Sequence, residues 1–334
     1  MKIIFYSKES WEEQYVTAKL AGQEVVFRSG GSIADTSAPD LSVDAISVFV
    51  DSPVTKAVLD RFPNLKLIAT RSTGYDHIDI AEAKARGVAV ATVPGYGAPT
   101  VAEFVFALLL ALSRKVVDAK ERVSQGHSFA QDNLRGFDLC SKTIGIVGTG
   151  RIGAHAARIA HGFGMKVLAT DEHQNASLVS DYGATYVSLP ELLAGSDIIS
   201  LHVPYLPSTH HLINAAAFAQ IKKGAYIINT ARGAVIDTDA LLRALDDGTI
   251  AGAGLDVLEE EGMMDDELQL LGTAHPKEDE LRTLLENHAL LAHPRVIITP
   301  HVAFNTDEAV HRILDTTIDS LQSFADGTPK NTII

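Results

Sequence analysis

Short apolar segments alternate with segments of helical periodicity along almost the whole chain. We predict that the apolar segments are buried strands, which lie within the first hundred residues and again between residues 143 and 299. The predicted strands are Lys2–Tyr6, Glu24–Phe27, Ile46–Val50, Leu65–Ala69, Val88–Val93, Thr143–Val147, Lys166–Thr170, Asp197–Val203, Ala225–Thr230, Ile250–Val257 and Val296–Thr299. Because regular alternation of strand and helix gives parallel sheets with helices on both faces, the sequence predicts an α/β fold.

Two helices are predicted with defined starts. The first runs from Thr100 to Val123; Thr100 and Glu103 have the spacing of a capping box, so Thr100 would be the N-cap. Its apolar density is typical of a helix in the core, between domains or in a dimer interface, and these alternatives stay open. The second helix runs from Thr306 to Phe324. The acidic stretch 262–293 is predicted to be a helical insertion or a loop on the surface.

The length and charge of the chain limit its fold and its partners. A chain of 334 residues is long for one hydrophobic core and suits two domains. Its formal net charge of −14 repels nucleic acid and anionic membranes, so neither is expected as a partner. The longest apolar run, Phe104–Leu112, is far shorter than the roughly 20 residues of a membrane span. The N-terminus does not have the pattern of a signal peptide, and a cytoplasmic location is expected.

The strongest local signal is a glycine motif, Gly148-Thr149-Gly150-Arg151-Ile152-Gly153. A predicted strand precedes the motif and a helical pattern follows it, which is the context of a dinucleotide-binding βαβ unit. The first glycine would permit the tight turn, the second would let a pyrophosphate approach the backbone, and the third would let the helix pack on the strand. The N–H groups at the start of the helix would then bind the phosphates.

An acidic residue follows the next predicted strand. Asp171 stands where dinucleotide-binding folds carry the carboxylate that binds the adenosine ribose hydroxyls, and Glu172 comes directly after it. Two carboxylates would repel the additional 2′-phosphate of NADP by charge. The sequence therefore predicts NAD as the cofactor.

Ionisable side chains of three kinds follow three further strands. Arg232 comes after the strand that ends at Thr230, Asp256 and the run Glu259–Glu261 come after the next strand, and His301 comes after the last one. Because ligands of open α/β sheets bind at the carboxyl ends of the strands, we expect these side chains to converge.

The types of these side chains suit the reduction of a 2-keto acid. A guanidinium can bind the substrate carboxylate and polarise the ketone. Histidine can supply the proton that the ketone oxygen needs when hydride reaches the carbon, and a neighbouring carboxylate would fix the ring. No spacing typical of metal ligands is found, and no metal is expected.

At these positions the chain resembles the D-isomer-specific 2-hydroxyacid dehydrogenase family, with its D-lactate dehydrogenase branch as the best match. The resemblance runs almost end to end, and several motifs occur in the family's order. They are the glycine motif and the segments 71–79 (RSTGYDHID), 202–204 (HVP), 229–233 (NTARG), 254–257 (GLDV) and 299–301 (TPH). The resemblance implies an NAD-dependent oxidoreductase that interconverts a small 2-keto acid and its D-2-hydroxy acid, with pyruvate and D-lactate as the leading pair.

The resemblance also implies roles for individual residues. Arg232 would bind the substrate carboxylate, and His301 would act as the acid and the base. Glu261 would be the partner of His301 because it lies five residues after Asp256, which is the spacing in the D-lactate dehydrogenase branch. Glycine and methionine follow Glu261 where many family members have prolines, so the preceding Glu259 and Glu260 stay open as alternatives.

Further residues are implied in binding. Those that would bind the substrate are Phe49, Thr73, Gly74, Tyr96, Arg232 and Phe304. Those that would bind the cofactor are Gly148, Gly150, Arg151, Ile152, Gly153, Asp171, His202, Val203, Pro204, Thr209, Thr230, Ala231, Arg232 and Asp256.

The family resemblance implies two Rossmann-like or flavodoxin-like domains with parallel sheets and an active site in the interdomain cleft. Residues 1–99 and 301–334 would form a discontinuous substrate-binding domain, and residues 100–300 would form the NAD-binding Rossmann domain. A homodimer with a small-molecule substrate is expected. Two alternatives stay open: a sibling hydroxypyruvate, glyoxylate or phosphite dehydrogenase, and an NAD-sensing binding protein similar to the dehydrogenase-related corepressors.

Overall fold

Strands and helices alternate through the part of the chain that the computed structural model describes, which comprises residues 1–28, 33, 39–261 and 278–334. The strands are β1 Lys2–Phe5, β2 Glu24–Phe27, β3 Ala45–Val48, β4 Leu67–Thr70, β5 Ala89–Ala91, β6 Thr143–Val147, β7 Lys166–Thr170, β8 Thr185–Tyr186, β9 Ile198–Leu201, β10 Ala225–Asn229, β11 Ile250–Leu255 and β12 Val296–Ile298. The helices are α1 Ser10–Lys19, α2 Lys56–Leu59, α3 Ile80–Ala85, α4 Ala98–Ser113, α5 Val116–Ser124, α6 Arg151–Gly162, α7 Ala176–Tyr182, α8 Leu189–Gly195, α9 Ala215–Phe218, α10 Thr238–Asp246, α11 Glu278–Ala292 and α12 Asp307–Ala325. Among these described helices, none has the length and apolar character needed to cross a bilayer.

The chain divides into two compact units. The first comprises Met1–Tyr96 together with Thr306–Ile334, and the second comprises Gly97–Asn305. Both units contain a sheet in which every paired strand is parallel, so the predicted α/β fold with two Rossmann-like domains is confirmed.

The sheet of the first unit has the order β2-β1-β3-β4-β5, which is the strand order of flavodoxin-like folds. Successive residues of a strand point to opposite faces, and each face has its own core. Ile4, Ile46 and Ile68 lie in the core on one face. On the other face, Phe5 and Leu67 share a core with residues of α12, whose buried positions include Leu314, Ile318 and Leu321.

The sheet of the second unit has the order β12-β11-β10-β9-β6-β7-β8. In this order the chain moves outward from β6 to β8 and then returns to the other side of β6, which is the arrangement of dinucleotide-binding folds. Val147 at the end of β6 is paired with Leu201 at the end of β9. The order in which strands are added to the sheet reverses between β6 and β9, and ligands of such sheets bind at this switch point.

The long helix predicted from Thr100 to Val123 is two helices. The break is at Lys115, whose φ of 55° is left-handed and cannot continue a helix. The predicted N-cap is also wrong: Gly97 caps α4, and Thr100 is buried within its first turn. Pro99 lies in that first turn, where a proline's missing N–H is not needed, so the helix can begin before Thr100.

The remaining predictions differ from the structure in smaller ways. The predicted strands agree with β1–β7 and β9–β12 to within a few residues at each end, whereas the two-residue strand β8 was not predicted. The C-terminal helix begins at Asp307, with the Thr306 side chain accepting from the backbone N–H of Ala309. Within the stretch 262–293, residues 278–292 form α11, and the predicted insertion from 262 to 277 lies outside the described residues.

Candidate active site

The glycine motif connects β6 to α6, and its three glycines have three different surroundings. Gly148 has a φ of 91°, and a Cβ there would lie 2.9 Å from the backbone of His202. A Cβ on Gly153 would lie 2.0 Å from the carbonyl oxygen of Gly148, so the helix packs tightly on the strand. A Cβ on Gly150, the N-cap of α6, would have no atom within 4 Å. The backbone at Gly150 is therefore open to a phosphate at the helix N-terminus.

Asp171 directly follows β7 and is bonded to the glycine motif. Its Oδ2 accepts from the backbone N–H of Thr149 at 2.5 Å and from the Thr149 hydroxyl at 3.2 Å, and its Oδ1 accepts from His173 N at 2.8 Å. Burial acts to raise the pKa of this carboxyl, but these hydrogen bonds outweigh it and hold the pKa below its ordinary value. Tyr186 on β8 donates to the Thr149 hydroxyl at 2.8 Å and so supports the same turn.

The segments after β9 and β10 carry most of the other predicted cofactor residues. His202 follows β9, and its Nε2 lies 2.9 Å from the Ser200 hydroxyl. Burial lowers the pKa of this imidazole to about 4. Further along the same segment, the Thr209 hydroxyl donates to the carbonyl of Pro204 at 2.6 Å and accepts from Leu206 N at 2.8 Å, which closes the loop.

Thr230, directly after β10, supplies a test of whether these residues suit a dinucleotide. Its Oγ1 is buried and has no hydrogen-bond partner among the described residues. A buried hydroxyl without a partner is costly unless a ligand group satisfies it. Together with the open backbone at Gly150 and the carboxylate of Asp171, this hydroxyl fits the polar groups of NAD.

Arg232 lies at the end of the segment that follows β10. The Asn229 side chain accepts from Ala231 N at 3.0 Å and donates to the carbonyl of Arg232 at 2.9 Å, so it shapes the backbone that presents the guanidinium. A Cβ on the next residue, Gly233, would lie 1.9 Å from the carbonyl carbon of Leu258. The loop that carries Arg232 therefore contacts the backbone of the loop that follows β11.

Asp256, the first residue after β11, is 1% exposed and anchors the segment that carries His301. Its carboxylate accepts from the Thr299 hydroxyl at 2.5 Å, from Val302 N at 3.0 Å and from Ala303 N at 2.8 Å. Burial raises the pKa of this carboxyl in spite of these hydrogen bonds. Between its donors, His301 adopts a left-handed φ of 50°.

His301 and Glu261 form a close pair. The His301 Nδ1 lies 2.6 Å from Glu261 Oε1, and both side chains are partly exposed. The other two glutamates of the run lie elsewhere: Glu259 contacts His211 at 2.8 Å, and Glu260 is exposed with a left-handed φ of 52°. The structure thus brings Glu261 alone among the three to His301. Their strands, β11 and β12, are neighbours in the sheet, and β10 with Arg232 comes next.

In the first unit, the loop after β4 contains Thr73 and Gly74. The Thr73 hydroxyl donates to the carbonyl of Val93 at 2.7 Å, and the Ser72 hydroxyl donates to the carbonyl of Gly74 at 2.6 Å. Ser72 is in turn 2.7 Å from the Thr70 hydroxyl, which lies 3.1 Å from His77 Nε2. This chain of side chains fixes the loop, and within the described residues the N–H groups of Thr73 and Gly74 make no hydrogen bond.

The predicted apolar substrate residues are each partly buried. The Phe49 ring lies 5.8 Å from the guanidinium of Arg71, whose buried ion pair with Glu12 has an Nη1–Oε2 distance of 2.9 Å. The carbonyl of Tyr96 accepts from Arg312 Nε at 2.8 Å, and Phe304 follows the anchored His301 segment.

The supporting side chains were not predicted from the sequence. Asn229 and Thr299 orient the segments of Arg232 and His301, and Thr149 with Tyr186 supports Asp171. A signal was available for the first two, since each is a polar residue at the end of a predicted apolar strand. No spacing connects Tyr186 to the motif 37 residues before it.

The chain is similar to known proteins over most of its length. Residues 106–303 match the family described as D-isomer specific 2-hydroxyacid dehydrogenase, NAD binding domain. A solved structure of D-lactate dehydrogenase from Aquifex aeolicus, complexed with NAD and lactic acid, is 38% identical, with a TM-score of 0.86 and coverage of 98% of this chain and 96% of that one. The D-lactate dehydrogenase of Escherichia coli is 34% identical and covers 98% of each chain. A glyoxylate reductase of Korarchaeum cryptofilum is 38% identical over 85% of this chain and 80% of its own length.

These similarities agree with the glycine motif after β6, where the strand order reverses, and with the ionisable residues that follow β10, β11 and β12. The chain belongs to the D-isomer-specific 2-hydroxyacid dehydrogenase family and is an NAD-dependent dehydrogenase.

Proposed function

We propose that the chain interconverts pyruvate and D-lactate, with His301, Glu261 and Arg232 as its catalytic residues. The observation that carries this proposal is the 2.6 Å contact between His301 Nδ1 and Glu261 Oε1. It leaves Nε2 of the ring to exchange a proton with a substrate oxygen. The choice of pyruvate is supported by the similarity to D-lactate dehydrogenases over nearly the whole chain and by the aromatic side chains proposed for the substrate pocket.

In the proposed reduction, NADH supplies the hydride that reaches C2 of the keto acid. The Arg232 guanidinium binds the substrate carboxylate through paired hydrogen bonds and draws electron density from the ketone. His301 donates its proton to the ketone oxygen as the C2–H bond forms, and the product is a neutral hydroxyl group. In the oxidation direction the same ring accepts that proton. Glu261 holds the ring so that Nε2 keeps one orientation.

The N–H groups of Thr73 and Gly74 are also proposed to bind the substrate carboxylate. These backbone donors are held in place by the hydrogen bonds that connect the loop to the Ser72 and Thr70 side chains. We propose that residues 1–99 and 301–334 form the substrate-binding domain and residues 100–300 the NAD-binding domain; the compact units have their boundaries a few residues away, at Tyr96/Gly97 and Asn305/Thr306. The predicted position of the active site between two domains stays a prediction.

Steady-state kinetics with NADH and a panel of 2-keto acids tests the substrate. We expect pyruvate to give the highest kcat/KM, ahead of glyoxylate and hydroxypyruvate, and we expect the product to be the D isomer in an assay with a D-specific enzyme. If the protein turns over none of these acids, the proposal is refuted.

A glyoxylate reductase is the second candidate, because the relative from Korarchaeum cryptofilum bears that name at 38% identity. Glyoxylate lacks the methyl group of pyruvate, and one methyl group in an apolar pocket changes specificity by about 10- to 200-fold. A kcat/KM for glyoxylate above that for pyruvate by such a factor would select this alternative.

The homodimer and the cytoplasmic location also stay proposals. The homodimer is supported by α5, which buries none of its residues in the chain and exposes Val116, Val117 and Val123. Light scattering coupled to gel filtration should give twice the mass of one chain, and Val117→Glu should shift the protein toward the monomer.

A further inference from the structure

Two histidines and a glutamate form a cluster in the second unit that the proposed reaction does not use. The nitrogen atoms of His210 and His211 and a carboxylate oxygen of Glu259 all lie within 4.8 Å of one another. The two imidazole rings are stacked, with their centroids 4.0 Å apart, and His211 Nε2 lies 2.8 Å from Glu259 Oε1. His210 is exposed, whereas His211 and Glu259 are partly buried.

We propose that His210, His211 and Glu259 form a binding site for a divalent transition-metal ion such as Zn²⁺, and that occupation of the site slows turnover. Two imidazoles and one carboxylate, completed by water, are a ligand set typical of Zn²⁺. Three atoms at most 4.8 Å apart have a point within about 2.8 Å of each of them. Side-chain shifts of about 1 Å, together with rotation of the stacked rings so that one nitrogen lone pair of each points at the ion, would give the Zn–N and Zn–O bond lengths of about 2.0–2.2 Å.

The carboxylate of the cluster is already oriented by a further contact. Glu259 Oε2 accepts from the Thr238 hydroxyl at 3.2 Å, and the Glu259 carbonyl accepts from Asn287 Nδ2 at 2.7 Å. Outer contacts of this kind hold a metal-binding carboxylate in one position. The imidazoles favour a transition metal over Mg²⁺ or Ca²⁺, which bind oxygen ligands.

The cluster is connected to the proposed catalytic residues through backbone contacts. His211 N donates to the carbonyl of Ala234 at 2.8 Å, two residues after Arg232. Glu259 is two residues before Glu261, whose Oε2 accepts from Leu258 N at 3.3 Å. The backbone of Leu258 and Glu259 also lies against Gly233. An ion that enters between Glu259 and His211 must widen their 2.8 Å contact. It therefore displaces the segment that holds Glu261 at His301, and this consequence rests on the proposed function.

Metal binding is measured first, without any turnover. Tag-free protein is titrated with Co²⁺, followed by its visible absorption, and Zn²⁺ is then added to displace it. We expect one ion per chain in the wild type and binding weakened at least about 10-fold in His210→Gln and in His211→Gln. His127→Gln, which changes an exposed histidine outside the cluster, is the matched control and should bind as the wild type does. Equal affinity in all four proteins, or no binding, would overturn the site.

The variant His210→Gln keeps the test independent of folding. Among the described residues the His210 side chain makes no hydrogen bond, whereas the His211 side chain is hydrogen-bonded to Glu259. For turnover, we expect Zn²⁺ to inhibit keto-acid reduction in the wild type with a midpoint near its dissociation constant. In His210→Gln the midpoint should rise by the same factor as the dissociation constant. Inhibition that is unchanged in this variant would show that Zn²⁺ acts elsewhere, for example at His301 and Glu261, and would refute the effect on turnover. If no keto acid is turned over, the proposed function fails while the Co²⁺ titration still decides the site.

Discussion

Asp256 illustrates how individual residues of the candidate site are held. Its carboxylate is 1% exposed and receives three hydrogen bonds from the segment 299–303, so its direct effect is on the backbone that carries His301. Asn229 has the same relation to Arg232. The predicted contact of Asp256 with the cofactor stays a prediction. Arg232 and His301 are partly exposed, whereas Asp256 and Asn229, which hold their backbone segments, are buried.

Replacement of His301 tests the proton transfer. His301→Ala should lower kcat by about 100- to 10,000-fold, the usual contribution of a general acid. NADH binding, measured by fluorescence titration, should be retained because the glycine motif is unchanged. Glu261→Gln should also lower kcat, whereas Glu260→Gln should not, because Glu260 is exposed on the same loop and does not contact His301. An equal loss in the two glutamate variants would argue against the Glu261 assignment.

His202 should make the stability of the fold depend on pH. The pKa of its buried imidazole is about 4 in the folded chain, compared with 6.5 for an ordinary histidine. Between these two pH values the unfolded chain binds more protons than the folded one, so the free energy of unfolding should fall as the pH is lowered from 6.5 to 4.

This decrease should be smaller in His202→Gln by up to about 3 kcal/mol, since each pKa unit corresponds to about 1.4 kcal/mol. Urea unfolding at a series of pH values measures it, and His127→Gln provides the comparison at an exposed position. Parallel curves for the wild type and His202→Gln would contradict the assignment.

The loops after the strands are positioned by close contacts between backbones. Gly148 lies against the segment after β9, and Gly233 lies against the segment after β11. In both places a side chain would collide with main-chain atoms, which cannot rotate away. The glycine at position 150 is different because the space next to it is open.

Alanine at Gly233 should therefore lower the stability of the fold, whereas alanine at Gly150 should weaken the binding of NADH. In Gly233→Ala the Cβ would collide with Leu258, and overpacking of this kind costs about 1–3 kcal/mol or more, so Tm should fall. In Gly150→Ala the fold should stay within about 1 kcal/mol of the wild type, but NADH should bind at least about 10-fold more weakly because the methyl group occupies the approach to the backbone. Thermal unfolding and NADH titration of both variants measure this. A reversed pattern would contradict the roles assigned to the two loops.

The sequence predicted the elements well where periodicity and composition determine them. The apolar strands and the glycine motif were located because burial and the need for a tight turn restrict the residue types. The break at Lys115 was not predicted, since a left-handed residue there has no signature in the apolar pattern. β8 is too short to show a period. The contact of His211 with Glu259 joins residues 48 positions apart, and only the strand order brings them together.

The core of the first unit is completed by the C-terminal helix α12. Leu321 of α12 is 0% exposed and shares a core with Phe5 and Leu67. Leu321→Ala should destabilise this unit by about 2–5 kcal/mol because it leaves a cavity. Leu41→Ala, at a leucine that is 66% exposed, should have little effect.

Hydrogen exchange followed by mass spectrometry locates the change. In Leu321→Ala, protection should fall in β1, β3 and β4, where the cavity forms, and persist in β6 and β9. Loss of protection confined to the second unit would be inconsistent with this division of the chain.

The discontinuous first unit also has a consequence for the order in which the chain is made. The ribosome releases Met1–Tyr96 long before Thr306–Ile334, with the whole second unit between them. At about 5–20 residues per second, this interval lasts about 10–40 s. During that time Phe5 and Leu67 lack the leucines of α12 that cover them in the finished protein. Met1–Tyr96 is thus synthesised before the second unit but completes its core only after it, and its apolar face lacks its cover during the interval.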